Sequence, residues 1–514
     1  MMSRLEDFNS HIENGYSFKG GAIILGTAIL DQAPIQHAQV KIPLKTMNRH
    51  GLIAGATGTG KTKTLQVIAE QLSLQGVPSV LMDLKGDLSG MAKAGSMNAV
   101  IEKRSNLIGV EYQPTGLPVE LMTISQEKGV KLKATVSEFG PVLISQILEL
   151  NDTQRGVIAL VFRYCDTHHL PLLDLRDLKK VLQFVINEGK EEITKEFGAV
   201  FPATVNTIMR KIIELEQQGA EEFFGELSFE VNDFVRTVEG KGVVSIIRLT
   251  DIQNRPKLFS TFMLSLLSEI YETFPEEGDS EKPKLCLFID EAHLVFSNAS
   301  KDLLDRIEAI IKLIRSKGVG VYFCTQTPTD VPEKVLGQLG LKVQHALRAF
   351  TAKDRTAIKK TSENYPISSF YNTSEVLTSM GIGEALITAL NEKGIPTPLV
   401  HTLLRAPVSR MGILTPEEID QQVHQSSLVK KYNVQIDRKS AFDILDQKIT
   451  LAEKALENST DRSGSIKRSP GRPAKETTLF EDLSKNTMVR QIGRTIFREL
   501  TRGIMGNMSG KKKR

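Results

Sequence analysis

The sequence predicts an α/β fold: a mainly parallel sheet that carries a phosphate-binding loop. Residues Gly55-Ala56-Thr57-Gly58-Thr59-Gly60-Lys61-Thr62 fit the spacing G-x-x-x-x-G-K-[ST]. They stand between a short apolar run, Gly51-Leu52-Ile53-Ala54, and a segment from Thr62 to Ser73. In that segment Leu65, Ile68, Ala69 and Leu72 recur at helical spacing. Later apolar runs end in acids or amides, at Asp83, at Asp290-Glu291 and at Thr325-Gln326. Such endings suit the carboxyl edge of a parallel sheet, where ligands bind in open α/β folds.

At 514 residues the chain has room for two or three domains. Its 40% apolar and 25% charged residues are those of a soluble globular protein. No apolar run reaches the roughly 18–20 residues of a membrane span, so no transmembrane segment is expected. Met1-Met2-Ser3-Arg4-Leu5-Glu6-Asp7 lacks a signal-peptide pattern. Cys165, Cys286 and Cys324 lie far apart and read as core thiols of a reducing compartment, so a cytoplasmic location is expected. From Asp461 onward 14 Lys/Arg face 5 Asp/Glu, a balance of +9, which leaves −5 for the residues before it. A basic surface over the whole body is not evident, although a local basic lining is compatible with these numbers.

Residues 1–45 read as a small N-terminal β module, with β-rich runs at Ala22–Gly26 and Ala38–Leu44. Residues 46–125 hold the first part of the nucleotide core. Gly55, Gly58 and Gly60 let the loop turn tightly and aim its N–H groups at phosphate, with Ala56, Thr57 and Thr59 between them. Lys61 can then reach the β- and γ-phosphates, and Thr62 can offer its hydroxyl to Mg²⁺. The helix beginning there points its positive dipole end at the same place. The run Val77–Leu84 ends in Asp83-Leu84-Lys85-Gly86-Asp87. Asp83 is either a nucleotide-site residue or a turn former, and Asp87 reads as a turn or cap residue.

Residues 126–240 change character. Helical patterns at 141–150, 152–164, 173–187 and 202–217 predict an all-helical insertion. Residues 241–410 resume the core with a strand at Gly242–Leu249 and a helix over 257–274. Lys284–Glu291 is an apolar strand ending in Asp-Glu, the Walker B pattern: Asp290 for the metal shell and Glu291 as general base. A helix over 303–316 leads to Val319–Thr325, and Gln326 just past it can sense the γ-phosphate or its water. Arg315 either meets phosphate charge or completes the helix end. Arg348 and Arg405 are each a strand-end residue or a charge donor at a subunit seam. His168-His169 has no ligand partner at metal spacing and reads as a solvated loop. Two β runs flank Asn391-Glu392-Lys393-Gly394, a hairpin composition. A helical extension (411–458), a polar linker (459–477) and a basic amphipathic helix with its tail (478–514) complete the chain. Gly471-Arg472-Pro473 in the linker spells the centre of an AT-hook.

GATGTGKT, the DLKGDLSG element after Val77–Met82, LCLFIDEAHLVF and GVGVYFCTQTP together resemble the HerA–FtsK superfamily, most closely its bacterial HerA-like group, over roughly residues 20–410. The resemblance implies a RecA-like P-loop ATPase core, ATP and Mg²⁺ as cofactors, and ring-shaped homo-oligomers, often hexamers. It also implies coupling of hydrolysis to movement of double-stranded DNA, and a nuclease or other effector as a further partner. By position, Lys61 and Thr62 match the phosphate-loop pair, Asp290 and Glu291 the Walker B pair, Gln326 the sensor, and Arg315 an arginine acting on the γ-phosphate. The short N-terminal module and the basic tail depart from that pattern. Asp290-Glu291-Ala292-His293 also spells the box of superfamily 2 helicases, but no second RecA-like domain follows. No Asn-Lys-x-Asp for guanine is present. The competing reading is an ATP-gated oligomeric scaffold acting on a partner protein without moving DNA.

Overall fold

The structure, a computed structural model, describes residues 4–462 except 279, 297–300, 350, 435 and 437. Two units divide the chain. One is built from residues up to Leu132 and Phe229–Val434, the other from Lys133–Ser228 and the described residues beyond 434.

In the first unit β1 (Ala22–Leu30), β2 (Ala33–Pro43), β3 (Gly51–Ala54), β4 (Ser79–Asp83), β5 (Val119–Thr123) and β6 (Val130–Lys131) come first. A two-residue ribbon, β7 (Thr237–Val238) and β8 (Lys241–Gly242), stands apart. Then follow β9 (Val244–Arg248), β10 (Leu285–Ile289), β11 (Val319–Thr325), β12 (Leu341–Gln344), β13 (Glu384–Thr388) and β14 (Val400–Leu404). Twelve of these form one sheet in the order β2-β1-β14-β13-β12-β3-β11-β10-β4-β9-β5-β6. From β12 to β6 every neighbouring pair is parallel, and from β12 outward to β2 every pair is antiparallel. β3, β4, β10 and β11 are buried at every position. That is why they read as unbroken apolar runs: a parallel sheet is covered on both faces.

The early β-rich runs make no sheet of their own. Helix Arg4–Tyr16 precedes them, and β1 pairs with β14 to extend the central sheet. A two-stranded ribbon alone is only marginally stable, and the edge of β14 supplies the missing partner. At Gly26 the approach is so close that a Cβ would lie 2.0 Å from the Leu403 carbonyl oxygen. The expected hairpin is present as β13 and β14, with the Asn391 side chain accepting from the N–H groups of Lys393 and Ile395.

Helix Lys61–Leu74 buries Leu65, Val67, Ile68, Ala69 and Leu72 against the sheet. Two of its polar side chains tie distant segments. Gln71 exchanges two 2.9 Å hydrogen bonds with the backbone of Ile24 beside a register shift in β1. Glu70, fully buried, accepts from the N–H groups of Val408 and Ser409 and from the Ser409 hydroxyl. Helix Pro256–Thr273 is buried along most of its length.

In the second unit helices Val136–Ile147, Asp152–Thr167, Leu175–Ile186 and Pro202–Gln217 begin at or near the positions expected from apolar spacing. The first starts five residues before Pro141, because Thr135 and Glu138 form a capping box and Gly140 (φ 70°) absorbs the kink at the proline. Helix Lys190–Phe197 was not expected: it buries only Ile193, so its apolar period is too thin to read. His169 stands exposed in a turn, but His168 is not free. His168 ends a helix, stacks on Tyr164 at 4.0 Å and pairs with Glu192 at 3.2 Å. Helix Ala441–Arg462 sets Phe442 under Arg176 and donates its N–H to Asp177.

The proposed linker beyond residue 462, its AT-hook triplet and the basic tail helix lie outside the described residues. Among the described residues no helix is long and apolar enough to cross a membrane. All three cysteines are buried and free.

Candidate functional site at the carboxyl edge of the sheet

Sheet order places four strand ends side by side: β3 with the phosphate loop, β11 with Gln326, β10 with Asp290-Glu291, and β4 with Asp83. β11 lies between β3 and β10, so the phosphate loop and the carboxylates flank Gln326.

The loop is held from both sides. Gly55 N–H donates to Thr325 O (3.2 Å), and Ala56 N–H to Ala346 O (2.9 Å). Gly55, Gly58 and Gly60 take φ of 153°, 79° and 114°, which side-chain-bearing residues rarely adopt. Thr59, buried, donates its hydroxyl to Ala56 O at 2.7 Å, while Thr57 and Gly58 stand exposed. Lys61, 7% exposed, donates its ammonium to Gly55 O (2.7 Å) and Ala56 O (3.2 Å). Burial, with the Lys85 charge nearby, holds its pKa below the usual lysine value. Thr62 is half-buried at the start of the helix.

Opposite the loop, Asp290 is buried and Glu291 nearly so. Asp290 Oδ1 accepts the Glu291 N–H at 3.0 Å, and Asp290 Oδ2 is buried without a hydrogen-bond partner. Burial pushes its carboxyl up to about 6. Glu291 has a left-handed backbone, φ 47°. Its Oε1 lies 2.5 Å from Lys85 Nζ, and its Oε2 3.3 Å from His293 Nδ1. Among the described residues no group of three or more His, Cys, Asp or Glu could hold a metal unaided. Mg²⁺ is ordinarily held by one or two carboxylates together with substrate phosphates, and the orphaned Asp290 oxygen with the Thr62 hydroxyl fits that donor set.

Asp83 does not present its carboxylate to the site. Both oxygens accept backbone N–H groups, of Gly86 (2.7 Å), Asp87 (3.2 Å) and Leu88 (3.1 Å). Of its two readings, the geometry favours the turn. Gln326 is exposed at its strand end. Arg315 is exposed at the end of helix Lys301–Ile314, just before β11 begins. It therefore lies at the opposite edge of the sheet, roughly 20 Å of strand from its own phosphate loop. Arg348 is exposed, and Arg405 turns onto Gln71 (3.4 Å) beside Glu70, a strand-end role.

Two residues were missed. Lys85 sits in the DLKGD element, but its partner Glu291 is more than 200 residues away, and only the β4–β10 pairing unites them. His345 is buried beneath the loop, its Nε2 2.9 Å from Thr64 Oγ1 and its N–H donating to Ala54 O at 2.7 Å. A histidine closing an apolar strand was the available signal.

The family model described as Helicase HerA-like C-terminal matches residues 29–514. Among curated relatives, "DNA double-strand break repair helicase HerA" of Sulfolobus acidocaldarius is 22% identical over 382 residues, 70% of this chain and 66% of that protein. The protein of the same description from Saccharolobus solfataricus is 23% identical over 377 residues, 68% of this chain and 64% of that one. The alignments thus span slightly less than two thirds of these relatives. Among solved structures, the unbound bacterial conjugative coupling protein TrwBdeltaN70 superposes with a TM-score of 0.51 at 14% identity, covering 79% of this chain and 95% of that one. TrwB in complex with the GTP analogue GDPNP gives the same TM-score and coverage at 12% identity. These likenesses show the fold, a RecA-like P-loop core.

Proposed function

Since the chain belongs to the helicase HerA-like C-terminal family, we propose that it is a Mg²⁺-dependent ATPase whose homo-oligomeric ring, of about six copies, moves double-stranded DNA. The observation that carries the reading is the meeting of Lys61, Thr62, Gln326, Asp290 and Glu291 at adjoining strand ends. An ATPase needs both charge donors for the transferred phosphate and a carboxylate for the attacking water. A purely nucleotide-binding protein would have little use for Glu291.

In this reading the loop N–H groups and the helix N-terminus bind the phosphates, and Lys61 leaves its own carbonyls to contact the β- and γ-oxygens. Glu291 takes the proton of the attacking water, and Gln326 orients that water. Asp290 and Thr62 would hold Mg²⁺, which would supply neutralising charge to the phosphate oxygens. Arg315, facing away from its own site, would act on the γ-phosphate of a neighbouring copy. A cytoplasmic location and a nuclease or similar effector belong to the same proposal.

The test combines mass photometry with and without nucleotide and ATP turnover with and without linear duplex DNA. Ring formation with DNA-stimulated turnover is the expected result. Turnover indifferent to DNA would favour an ATP-gated scaffold on a partner protein, for which the −5 balance before Asp461 is the supporting observation.

A further inference from the structure

Asp83 fixes where Lys85 stands. By accepting the N–H groups of Gly86, Asp87 and Leu88, it holds the turn after β4, and Gly86 takes φ 75°. The Lys85 side chain is 39% exposed and reaches inward from the rim over two carboxylates that are 3% and 13% exposed. Its ammonium is 2.5 Å from Glu291 Oε1 and 4.0 Å from Asp290 Oδ2. Two buried carboxylates side by side are costly without a cation. The chain supplies that cation itself, on a flexible four-carbon stem.

The pairing has a chemical consequence. While the ammonium holds Glu291 Oε1, that oxygen is closed to a second partner. A second cation at Asp290 would lie within a few ångströms of the first, and like charges at that range repel strongly in a buried site. We propose that Lys85 is a counter-cation that competes with the divalent ion for the Asp290–Glu291 pair, so that loading metal with nucleotide releases Lys85 from Glu291. Lys85 is thus a positioning residue, and the inference rests on the ATPase reading above.

The full-length protein tests it through binding. The dissociation constant of mant-ATP is measured in excess Mg²⁺ and in EDTA for the native chain, Lys85→Met and Lys85→Arg. Competition predicts that Lys85→Met widens the ratio of the two constants about tenfold, within the ordinary range of coupling between sites. Lys85→Arg keeps the charge and should stay near the native ratio. An unchanged ratio in Lys85→Met overturns the proposal, whether both constants weaken together (a phosphate contact) or neither moves while Tm falls (a structural residue). If Lys85→Met does not fold, acylation of the native Lys85 amine, read by mass spectrometry, decides. Labelling should rise severalfold with Mg²⁺ and ADP over EDTA and ADP, and equal labelling overturns the proposal. Failure of the native chain to bind mant-ATP in either buffer would sink the ATPase reading first, and the inference with it.

Discussion

Glu291 carries the sharpest expectation for a single side chain, because it is nearly buried, held at φ 47° and paired through Oε1 with Lys85. Glu291→Gln keeps its shape and removes the proposed base. ATP should still bind, while single-turnover hydrolysis slows by roughly 10²–10⁴; turnover at the native rate would move the role elsewhere. Lys61→Ala should lose nucleotide affinity, read by isothermal calorimetry, because in the proposed reading its ammonium would contact the transferred phosphate. Glu70 predicts a pH effect. Burial pushes its carboxyl up to about 7, against the donors of Val408 and Ser409 and the nearby Arg405 charge. A carboxyl with a raised folded pKa binds its proton more tightly folded than unfolded. Its contribution is therefore complete below about pH 4.5 and is lost as pH rises through about 7. Glu70→Gln should flatten that limb of the stability curve in denaturant titrations at several pH values. The positions of the loop and of the two acids ending β10 were legible because their spacing is local. Asp83 was ambiguous because a strand-end acid looks the same whether it faces ligand or its own turn, and Lys85 was hidden because its partner is remote in sequence.

Strands buried on both faces, such as β3, β4, β10 and β11, announced themselves as continuous apolar runs, and the helices with strong apolar stripes did likewise. Helix Lys190–Phe197 did not, and neither did the first turn of helix Val136–Ile147, which depends on the Thr135–Glu138 capping box rather than on an apolar period. Removing that cap, Thr135→Ala, should lower stability by about 0.5–2 kcal/mol in chemical denaturation. The early strands were visible, but nothing local in them says that they join β14. Gly26 makes that junction exacting. Gly26→Ala would press a methyl group against the Leu403 carbonyl, so the β1–β14 pairing must open or shift. Amide exchange should quicken in β1 and β14 while β10 and β11 keep their protection.

Across the whole chain, the α/β class and its parallel sheet follow from the motifs, whereas the strand order is a property of long-range pairing that no window reveals. That order puts Arg315 on the edge away from its own phosphate loop. An Arg315→Ala chain should fold and bind ATP yet hydrolyse it slowly, by roughly 10³–10⁵ if it acts as an arginine finger. Mixing it with Lys61→Ala chains under assembling conditions should restore turnover, since intact loops then meet intact arginines. Co-assembly without rescue would count against action between copies. The pairing of β1 with β14 also bears on how the protein is made. Gly26 lies opposite Leu404, and the Tyr16 hydroxyl donates to Pro398 O at 2.7 Å. At about 5–20 residues per second a ribosome needs roughly 20–75 s to deliver those partners after the first strands emerge. Through that interval β1 keeps an unpaired edge and helix Arg4–Tyr16 lacks part of its seat, which makes the nascent chain a customer for chaperones that shield such edges until β14 arrives.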